Sequence, residues 1–364
     1  MDILTLLRLA KDNKASDVHL VAYNPPMLRI HGFLDPLFDA PALTENDLRE
    51  ALKQLASSEQ IEVFDKKLEL DFGFTIAGTG RLRCNVAKQR GTTSLVIRIL
   101  PLEIPSLKIM QLPDICKELI TRPRGLIIVS GPTGSGKSTT LAAMLDYLNH
   151  TASHCIVTIE DPIEYIYTNS RCAFTQRELG SDTHSFAEAL KHVLRQDPDV
   201  ILVGEMRDSE TADAVLTLAE TGHLVLTTGH APSAYQAVQR VVDLFPPHER
   251  ALAQTRLASL LIGILCQSLV PRSDKKGRVA AIEIMLGNPA VKSLIRDGKI
   301  HQLPNVIRTN YKTGMRLLDQ SLVELYRLGE ISHDNVMAFC NDPEEIVKLI
   351  GSCDNAMPAS QYNQ

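Results

Sequence analysis

The sequence contains no tryptophan, and aromatic residues make up only 5% of its 364 residues. Its longest stretch without Asp, Glu, Lys, Arg or His, 257–271, is shorter than the roughly 20 residues that a membrane-spanning helix needs. None of the seven cysteines forms a CxxC pair, so a structural zinc site is not expected. The first residues lack a basic segment followed by an apolar run, the mark of an export signal. We therefore expect a cytoplasmic protein without a transmembrane segment.

The charge balance is slightly acidic, with 38 Lys and Arg against 43 Asp and Glu and a net charge of −5. A large nucleic-acid footprint would need a clear basic excess, so no nucleic-acid partner is expected, although a local basic channel stays open. The hydrophobic content of 44% is enough for a substantial core, and the length is typical of about two domains.

Short alternating segments predict an N-terminal α+β domain over residues 1–104. Strands are predicted at 18–20, 27–30, 70–74, 81–86 and 95–100, with two amphipathic helical stretches. Prolines at 101, 105 and 113 then predict a linker, and 105–124 is assigned to this linker and the start of a second domain.

From residue 125 the pattern changes to strands that alternate with helices, which is typical of a parallel sheet with crossover helices. Strands are predicted at 126–129, 156–159, 200–203, 224–226 and 279–286. This second domain is assigned to 125–351, with a helical C-terminal part, and a disordered tail is predicted over 352–364.

The strongest motif is GPTGSGKS at 131–138, a complete P-loop between a predicted buried strand and a helix. Glycines allow successive N–H groups to surround a phosphate, and the helix N-terminus favours the same anion. Lys137 is placed to reach the β- and γ-phosphates, and the Ser138 hydroxyl to ligate Mg²⁺. No NKxD motif follows, which favours ATP over GTP. The predicted nucleotide contacts are Gly131, Pro132, Thr133, Gly134, Ser135, Gly136, Lys137, Ser138 and Thr139.

Polar side chains follow three further strands of the predicted sheet. Glu205 ends the strand at 200–203, where it could hold Mg²⁺ through water or orient the attacking water. Glu160, Asp161 and Glu164 follow the strand at 156–159, and one of them could polarise a water for in-line attack. His230 lies beyond the strand at 224–226, where it could hydrogen-bond the γ-phosphate. Because parallel strands end at one edge of a sheet, these groups are predicted to share a crevice.

Together these motifs resemble the type II/IV secretion ATPase superfamily, whose signature is matched throughout 194–208. Within it the chain is most similar to the ATPases that power type IV pilus retraction, over nearly its whole length. The similarity includes ASDVHL at 15–20, RIHG at 29–32 and PAVKSLIR at 289–296, the last being similar to a C-terminal motif that retraction requires.

The resemblance implies an α/β fold with an N-terminal PAS-like α+β domain and a RecA-like P-loop ATPase core with a helical C-terminal portion, assembled as a homo-hexamer. It implies a motor that hydrolyses ATP with Mg²⁺ to drive pilus retraction and twitching motility. The implied partners are an inner-membrane pilus platform protein and other pilus ATPases, so the motor would be peripheral at the membrane. The implied catalytic set is Glu164 as general base, Glu205 as Walker B acid at Mg²⁺, His230 of the His box, and the nucleotide-directed arginines Arg81, Arg83 and Arg98.

Two stretches depart from the family pattern. Where the family usually reads Gly-Thr-Leu-His-Thr, residues 227–231 read Thr-Thr-Gly-His-Ala, and Gly229 is expected to loosen the backbone before His230. In the C-terminal motif, Lys292 and Ser293 stand where Arg and Asn are usual. These departures bear on retraction and leave the ATPase assignment as it is.

Several alternatives remain open from the sequence. An accessory retraction ATPase or a secretion-system ATPase of the same superfamily would share these motifs, whereas an assembly ATPase usually carries a four-cysteine zinc module that this sequence lacks. A nucleic-acid translocase could use the same RecA core. A third possibility, besides a motor ATPase and a translocase, is a P-loop regulatory or scaffolding protein that binds ATP without turnover.

Overall fold

The computed structural model describes residues 2–30, 33–76, 79–100 and 103–354. The chain divides into two units. The first takes in Met1–Ile104 and Pro162–Ile166, and the second takes in Pro105–Asp161 and Tyr167–Gln364.

The first unit is a six-stranded antiparallel sheet with helices. Its helices are α1 (Ile3–Asp12), α2 (Glu45–Leu55) and α3 (Ser58–Lys67), and its strands are β1 (Asp17–Val21), β2 (Met27–Ile30), β3 (Phe33–Pro36), β4 (Glu69–Ile76), β5 (Gly80–Gln89) and β6 (Thr92–Ile99). The strand order is β3-β2-β1-β6-β5-β4.

Local sequence explains where these helices begin. Thr44 and Asp47 form a capping box at the start of α2, and Ser57 and Gln60 form another at the start of α3. Each box satisfies backbone N–H groups that have no partner within the helix. The apolar face of α2 is buried, and with the other helices and the alternate strand residues it forms the core of this unit.

The second unit contains the remaining elements. Its helices are α4 (Ile115–Ile120), α5 (Lys137–Thr151), α6 (Phe186–Val193), α7 (Ser209–Glu220), α8 (Ala234–Asp243), α9 (Arg250–Leu260), α10 (Pro289–Arg296), α11 (Leu303–Thr309), α12 (Leu318–Arg327), α13 (His333–Phe339) and α14 (Pro343–Asp354). Its strands are β7 (Gly125–Ser130), β8 (Cys155–Glu160), β9 (Ala173–Glu178), β10 (Val200–Glu205), β11 (Leu224–Thr228), β12 (Leu261–Pro271) and β13 (Arg278–Leu286).

These strands form one sheet in the order β13-β12-β7-β11-β10-β8-β9. All neighbouring pairs are parallel except β12 and β13, which are antiparallel. The carboxyl ends of β7, β8, β10 and β11 therefore meet at one edge of the sheet, which is where open α/β sheets bind ligands. The α/β class predicted from the sequence is confirmed.

Every strand predicted from the sequence overlaps an observed one, but three observed strands, β3, β9 and β12, were not predicted. The omission of β12 has a clear cause. It lies inside the sheet, and residues that point to either face of the sheet are buried, so it lacks the alternation that marks a half-exposed strand. Its lack of charged residues was used only to exclude a membrane-spanning helix.

The ends of the predicted segments differ from the structure in two places. Helix α14 continues to Asp354, three residues into the segment predicted as a disordered tail, and 355–364 lie outside the described residues. The predicted linker 105–124 contains α4. His31, Gly32 and Pro101, used in the sequence analysis, also lie outside the described residues.

None of the helices within the described ranges has the length and apolar character needed to cross a bilayer.

Candidate nucleotide site

The P-loop connects the fully buried strand β7 to helix α5. Gly131, Gly134 and Gly136 have positive φ angles of 142°, 76° and 86°, which residues other than glycine rarely adopt. A Cβ atom at Gly131 would collide with the main-chain oxygen of Gln267, and one at Gly136 would lie 2.9 Å from Gln267 Nε2. The loop path therefore depends on glycine at these positions.

Lys137 is the first residue of α5, and its side chain lies over the loop. Its Nζ donates to the carbonyl oxygens of Gly131 and Pro132 at 2.9 and 3.0 Å. Ser138 and Thr139 follow in the first helical turn and are partly exposed, and Pro132 and Thr133 are exposed. A helix N-terminus, a glycine turn and an ammonium group thus converge where the sequence predicts phosphate, so the loop suits a nucleotide.

Gln267 of β12 supports this loop from the core and was missed by the sequence analysis. It is 1% exposed, and its Nε2 donates to the Ser135 carbonyl oxygen at 2.7 Å. Its Oε1 accepts a hydrogen bond from the Thr140 hydroxyl at 2.7 Å. The Ser135 carbonyl is therefore held toward β12. The available signal was a single amide within an apolar run, which a buried strand rarely tolerates without partners.

Glu205, His230 and Arg207 form a cluster at the carboxyl ends of β10 and β11. The His230 Nε2 atom lies 3.0 Å from Glu205 Oε2, and Arg207 Nε contacts Glu205 Oε1. Arg207 Nη1 also lies 3.5 Å from Asp161 Oδ2, just after β8. Arg207 was not predicted as a site residue. It joins Glu205, the predicted Walker B acid, to Asp161, one of the three acids that could polarise the attacking water.

Burial and nearby positive charge set the protonation of His230. Desolvation by burial lowers its pKa from the ordinary value of 6.5, and the charges of Lys137, Arg240 and Arg207 act in the same direction. The imidazole is therefore neutral at pH 7. Because an ionised carboxylate can only accept, Nε2 is the protonated nitrogen that donates to Glu205.

The backbone around His230 is held from both sides, contrary to the loosening expected from Gly229. The Gly229 N–H donates to the Val129 carbonyl at 2.9 Å. The buried Ser130 hydroxyl donates to the Ala231 carbonyl at 2.7 Å and accepts from the Ala231 N–H at 2.8 Å. A Cβ at Gly229 would lie 3.0 Å from Ser130 Oγ, so the missing side chain allows close approach rather than disorder.

The remaining predicted site residues belong to the first unit. Arg81 Nη1 lies 3.5 Å from the Thr75 hydroxyl. Arg83 Nη2 lies 3.9 Å from Asp71 Oδ1, and Arg98 Nε lies 2.9 Å from Asp17 Oδ1. Glu164, partly buried, lies in the segment Pro162–Ile166 of the same unit. The structure thus gathers the P-loop, Glu205 and His230 within the second unit, and the general-base role of Glu164 stays a prediction.

Comparison with known families gives a match over most of the chain. The family model described as "Type II/IV secretion system protein" matches residues 2–299.

Two curated relatives from Pseudomonas aeruginosa correspond to the chain nearly end to end. The chain is 43% identical over 344 residues to the type IV pilus retraction ATPase PilT, covering 94% of this chain and 99% of the relative. It is 40% identical over 367 residues to the type IV pilus ATPase PilU, covering 100% of this chain and 96% of that relative.

Among solved structures, the chain is similar to the crystal structure of the pilus retraction motor PilT with bound ADP. The TM-score is 0.89 at 42% sequence identity, and the match covers 96% of this chain and 99% of that one. The similarity confirms the fold class that the family resemblance implied, a PAS-like domain and a RecA-like core.

Proposed function

Because this chain belongs to the type II/IV secretion system protein family and is an ATPase, we propose that it is the motor that drives type IV pilus retraction. One observation carries the proposal. The correspondence with PilT extends over 94% of this chain and 99% of that relative, so the likeness includes both units and not the ATPase core alone.

The P-loop supplies the binding part of the mechanism. Backbone N–H groups of the loop and the N-terminus of α5 hold the phosphates, and Lys137 can turn from the carbonyls of Gly131 and Pro132 to the β- and γ-phosphates. The Ser138 hydroxyl and the Glu205 carboxylate are oxygen donors of the kind that Mg²⁺ prefers. When bound, Mg²⁺ neutralises charge that develops on the phosphates.

The chemical step needs a base and a cation at the transferred phosphate. We assign the base to Glu164, and the cation to Arg81, Arg83 or Arg98 supplied within a homo-hexameric ring. The single N–H of neutral His230 donates to Glu205, and His230 is suited to transfer this hydrogen bond to the γ-phosphate and so report whether the phosphate is present. A ring of this kind converts different affinities for ATP and ADP into different arrangements of its subunits, which is the source of motion.

The motor acts, on this proposal, from the cytoplasm. It would bind peripherally to an inner-membrane pilus platform protein and work beside other pilus ATPases. Nucleic acid has no part in the proposal, so added duplex DNA should leave the ATPase rate unchanged. A clear stimulation would favour the translocase alternative.

The decisive experiment is deletion of the gene, followed by counting surface pili and measuring twitching. A retraction motor predicts more pili than in the parent and no twitching, whereas cells without pili would overturn the proposal in favour of assembly. Complementation with Lys137→Ala should fail because the phosphate-binding ammonium is lost. The Lys53→Ala variant, which changes an exposed lysine of α2, should restore twitching and serves as the control.

An accessory role is the second candidate, favoured by the 40% identity to PilU over the full chain and by Lys292 and Ser293 in the C-terminal motif. Deletion in a strain that keeps a second retraction ATPase separates the two. Normal pilus number there, with excess pili only after removal of both genes, would assign the accessory role. Excess pili after the single deletion assigns the main motor.

A further inference from the structure

Asp17 occupies a buried position on the sheet of the first unit, in the ASDVHL segment that the proposed function has not used. It is 5% exposed and lies on β1, between β2 and β6. The strand register pairs it with Arg29 on one side and Arg98 on the other. A single buried carboxylate thus lies between two arginines on adjacent strands.

The contact to Arg98 is the closer of the two and uses the inner nitrogen of the guanidinium. Arg98 Nε donates to Asp17 Oδ1 at 2.9 Å, whereas Arg29 Nε lies 4.0 Å from Asp17 Oδ2. Ser16 Oγ donates to the same Oδ2 at 2.8 Å. The Asp17 side chain is 7% exposed and that of Arg98 is 63% exposed. The inner edge of the guanidinium is therefore anchored, while most of the side chain faces outward.

An arginine that is already anchored loses less conformational entropy when it binds a phosphate than a freely rotating arginine does. A solvated arginine samples many rotamers, and ordering it at a phosphate costs conformational entropy. Cations that are already in place stabilise developing charge without that reorganisation. Arg83 shows the contrast, since its partner Asp71 is 57% exposed and lies 3.9 Å away.

We propose that Asp17 is a positioning residue that holds the Arg98 guanidinium with its outer nitrogens presented to the transferred phosphate. This inference rests on the proposed function, in which an arginine of the first unit serves the nucleotide. It singles out Arg98 among the three candidates and gives the ASDVHL segment a role in turnover.

A double-mutant cycle on the full-length chain tests the proposal, with ATPase kinetics and the melting temperature measured for each variant. Arg98→Ala should lower kcat about 10³-fold or more, the low end for an arginine of this type. Asp17→Asn keeps the shape but loses the charge that aligns Arg98, and should lower kcat about tenfold with KM for ATP unchanged. In the Arg98→Ala background, Asp17→Asn should cause no further loss.

Asp71→Asn is the matched control, since it removes the carboxylate beside Arg83 on the same sheet, and it should keep the wild-type rate. A second variant avoids any folding defect caused by changing Asp17. Arg98→Lys retains the positive charge and Asp17 but offers one ammonium group in place of a fork, so its kcat should stay close to that of Arg98→Ala. A near wild-type kcat for Arg98→Lys would overturn the proposal.

The other outcomes separate the inference from the function beneath it. If Asp17→Asn has a wild-type rate while Arg98→Ala is inactive, only the positioning role fails. If Asp17→Asn costs the same factor with and without Arg98, Asp17 acts through the stability of the fold and the positioning role also fails. If Arg98→Ala itself turns over ATP normally, the assignment of this arginine in the proposed function is wrong.

Discussion

The carboxylate of Glu164 offers the most direct test of the proposed chemistry. The variant Glu164→Gln keeps the size of the side chain but cannot accept a proton, so kcat should fall by about 10² to 10⁴. ATP binding should persist, because the P-loop is unchanged. Steady-state phosphate release and binding of a fluorescent ATP analogue would measure the two effects. Glu188→Gln, at an exposed position of α6, is the control, and an unchanged kcat for Glu164→Gln would exclude the base role.

Gln267 should matter for nucleotide affinity although it lies beneath the loop. Gln267→Leu leaves the Ser135 carbonyl and the Thr140 hydroxyl without their partner, and each lost buried bond costs about 1–3 kcal/mol of stability. The freed loop should then raise KM for ATP about tenfold, which corresponds to about 1.4 kcal/mol. Ser268→Ala changes the next residue of β12 and should leave KM unchanged. Equal KM values for both variants would show that the loop holds its shape without Gln267.

The lowered pKa of His230 predicts how stability depends on pH. Folding favours the neutral imidazole, so this contribution is complete above the ordinary value of 6.5 and is lost as the pH falls through 6.5 toward the lower folded value. The melting temperature should therefore fall more steeply below pH 6.5 in the wild type than in His230→Asn. The contribution of His230 to the free energy of unfolding should stay below about 1 kcal/mol, because solvent screens this partly exposed group. If the melting temperatures of the two proteins fall in parallel as the pH decreases, the lowered pKa of His230 is contradicted.

Helices α7 and α9 are joined by one arginine, and this contact should contribute to stability. Arg256 Nε and Nη2 donate to the two carboxylate oxygens of Glu220 at 2.8 and 3.0 Å, and Nη2 also donates to Thr217 Oγ1 at 2.9 Å. The Arg256 side chain is only 16% exposed.

Removal of this network in Arg256→Ala should lower the free energy of unfolding by about 1–3 kcal/mol, as for hydrogen bonds to charged groups. Denaturant unfolding would measure it. Arg308→Ala is the control, because Arg308 is 48% exposed and its surface pair with Glu345 should contribute at most about 1 kcal/mol. Losses of equal size in the two variants would mean that the network adds nothing beyond a surface pair.

The elements also show why sequence predicts some features and not others. The P-loop is encoded by consecutive residues, so its position between β7 and α5 follows from the chain alone. The support from Gln267 depends instead on β12 lying beside β7, and the sequences of the two strands do not predict that they pair. Arg207 lies within the recognised signature, but its contacts to Glu205 and Asp161 depend on the order of β8 and β10 in the sheet.

The proposed ring makes a prediction that can be tested only with two different subunits. A Lys137→Ala subunit lacks phosphate binding but retains Arg98, and an Arg98→Ala subunit has the opposite defect. If arginines act between subunits, mixing the two inactive proteins should restore about a tenth or more of the wild-type ATPase rate, well above the sum of the two variants, which retain about 10⁻³ or less.

The mixture must be allowed to exchange subunits, and exchange can be verified with two fluorescent labels. A mixture of Lys137→Ala with Lys137→Ala/Arg98→Ala is the control and should stay inactive. No recovery in the first mixture, despite verified exchange, would place Arg98 and the P-loop on the same subunit or remove Arg98 from the reaction.

The close approach of Gly229 to Ser130 limits how this protein can be recombined with its relatives. A chimera that imports a leucine-containing loop at 227–231 brings a side chain to within 3.0 Å of the Ser130 hydroxyl, which is already engaged by the backbone of Ala231. The two positions therefore have to be exchanged as a pair. Natural drift at one should be accompanied by compensating change at the other, so positions 130 and 229 are expected to covary among descendants of this lineage.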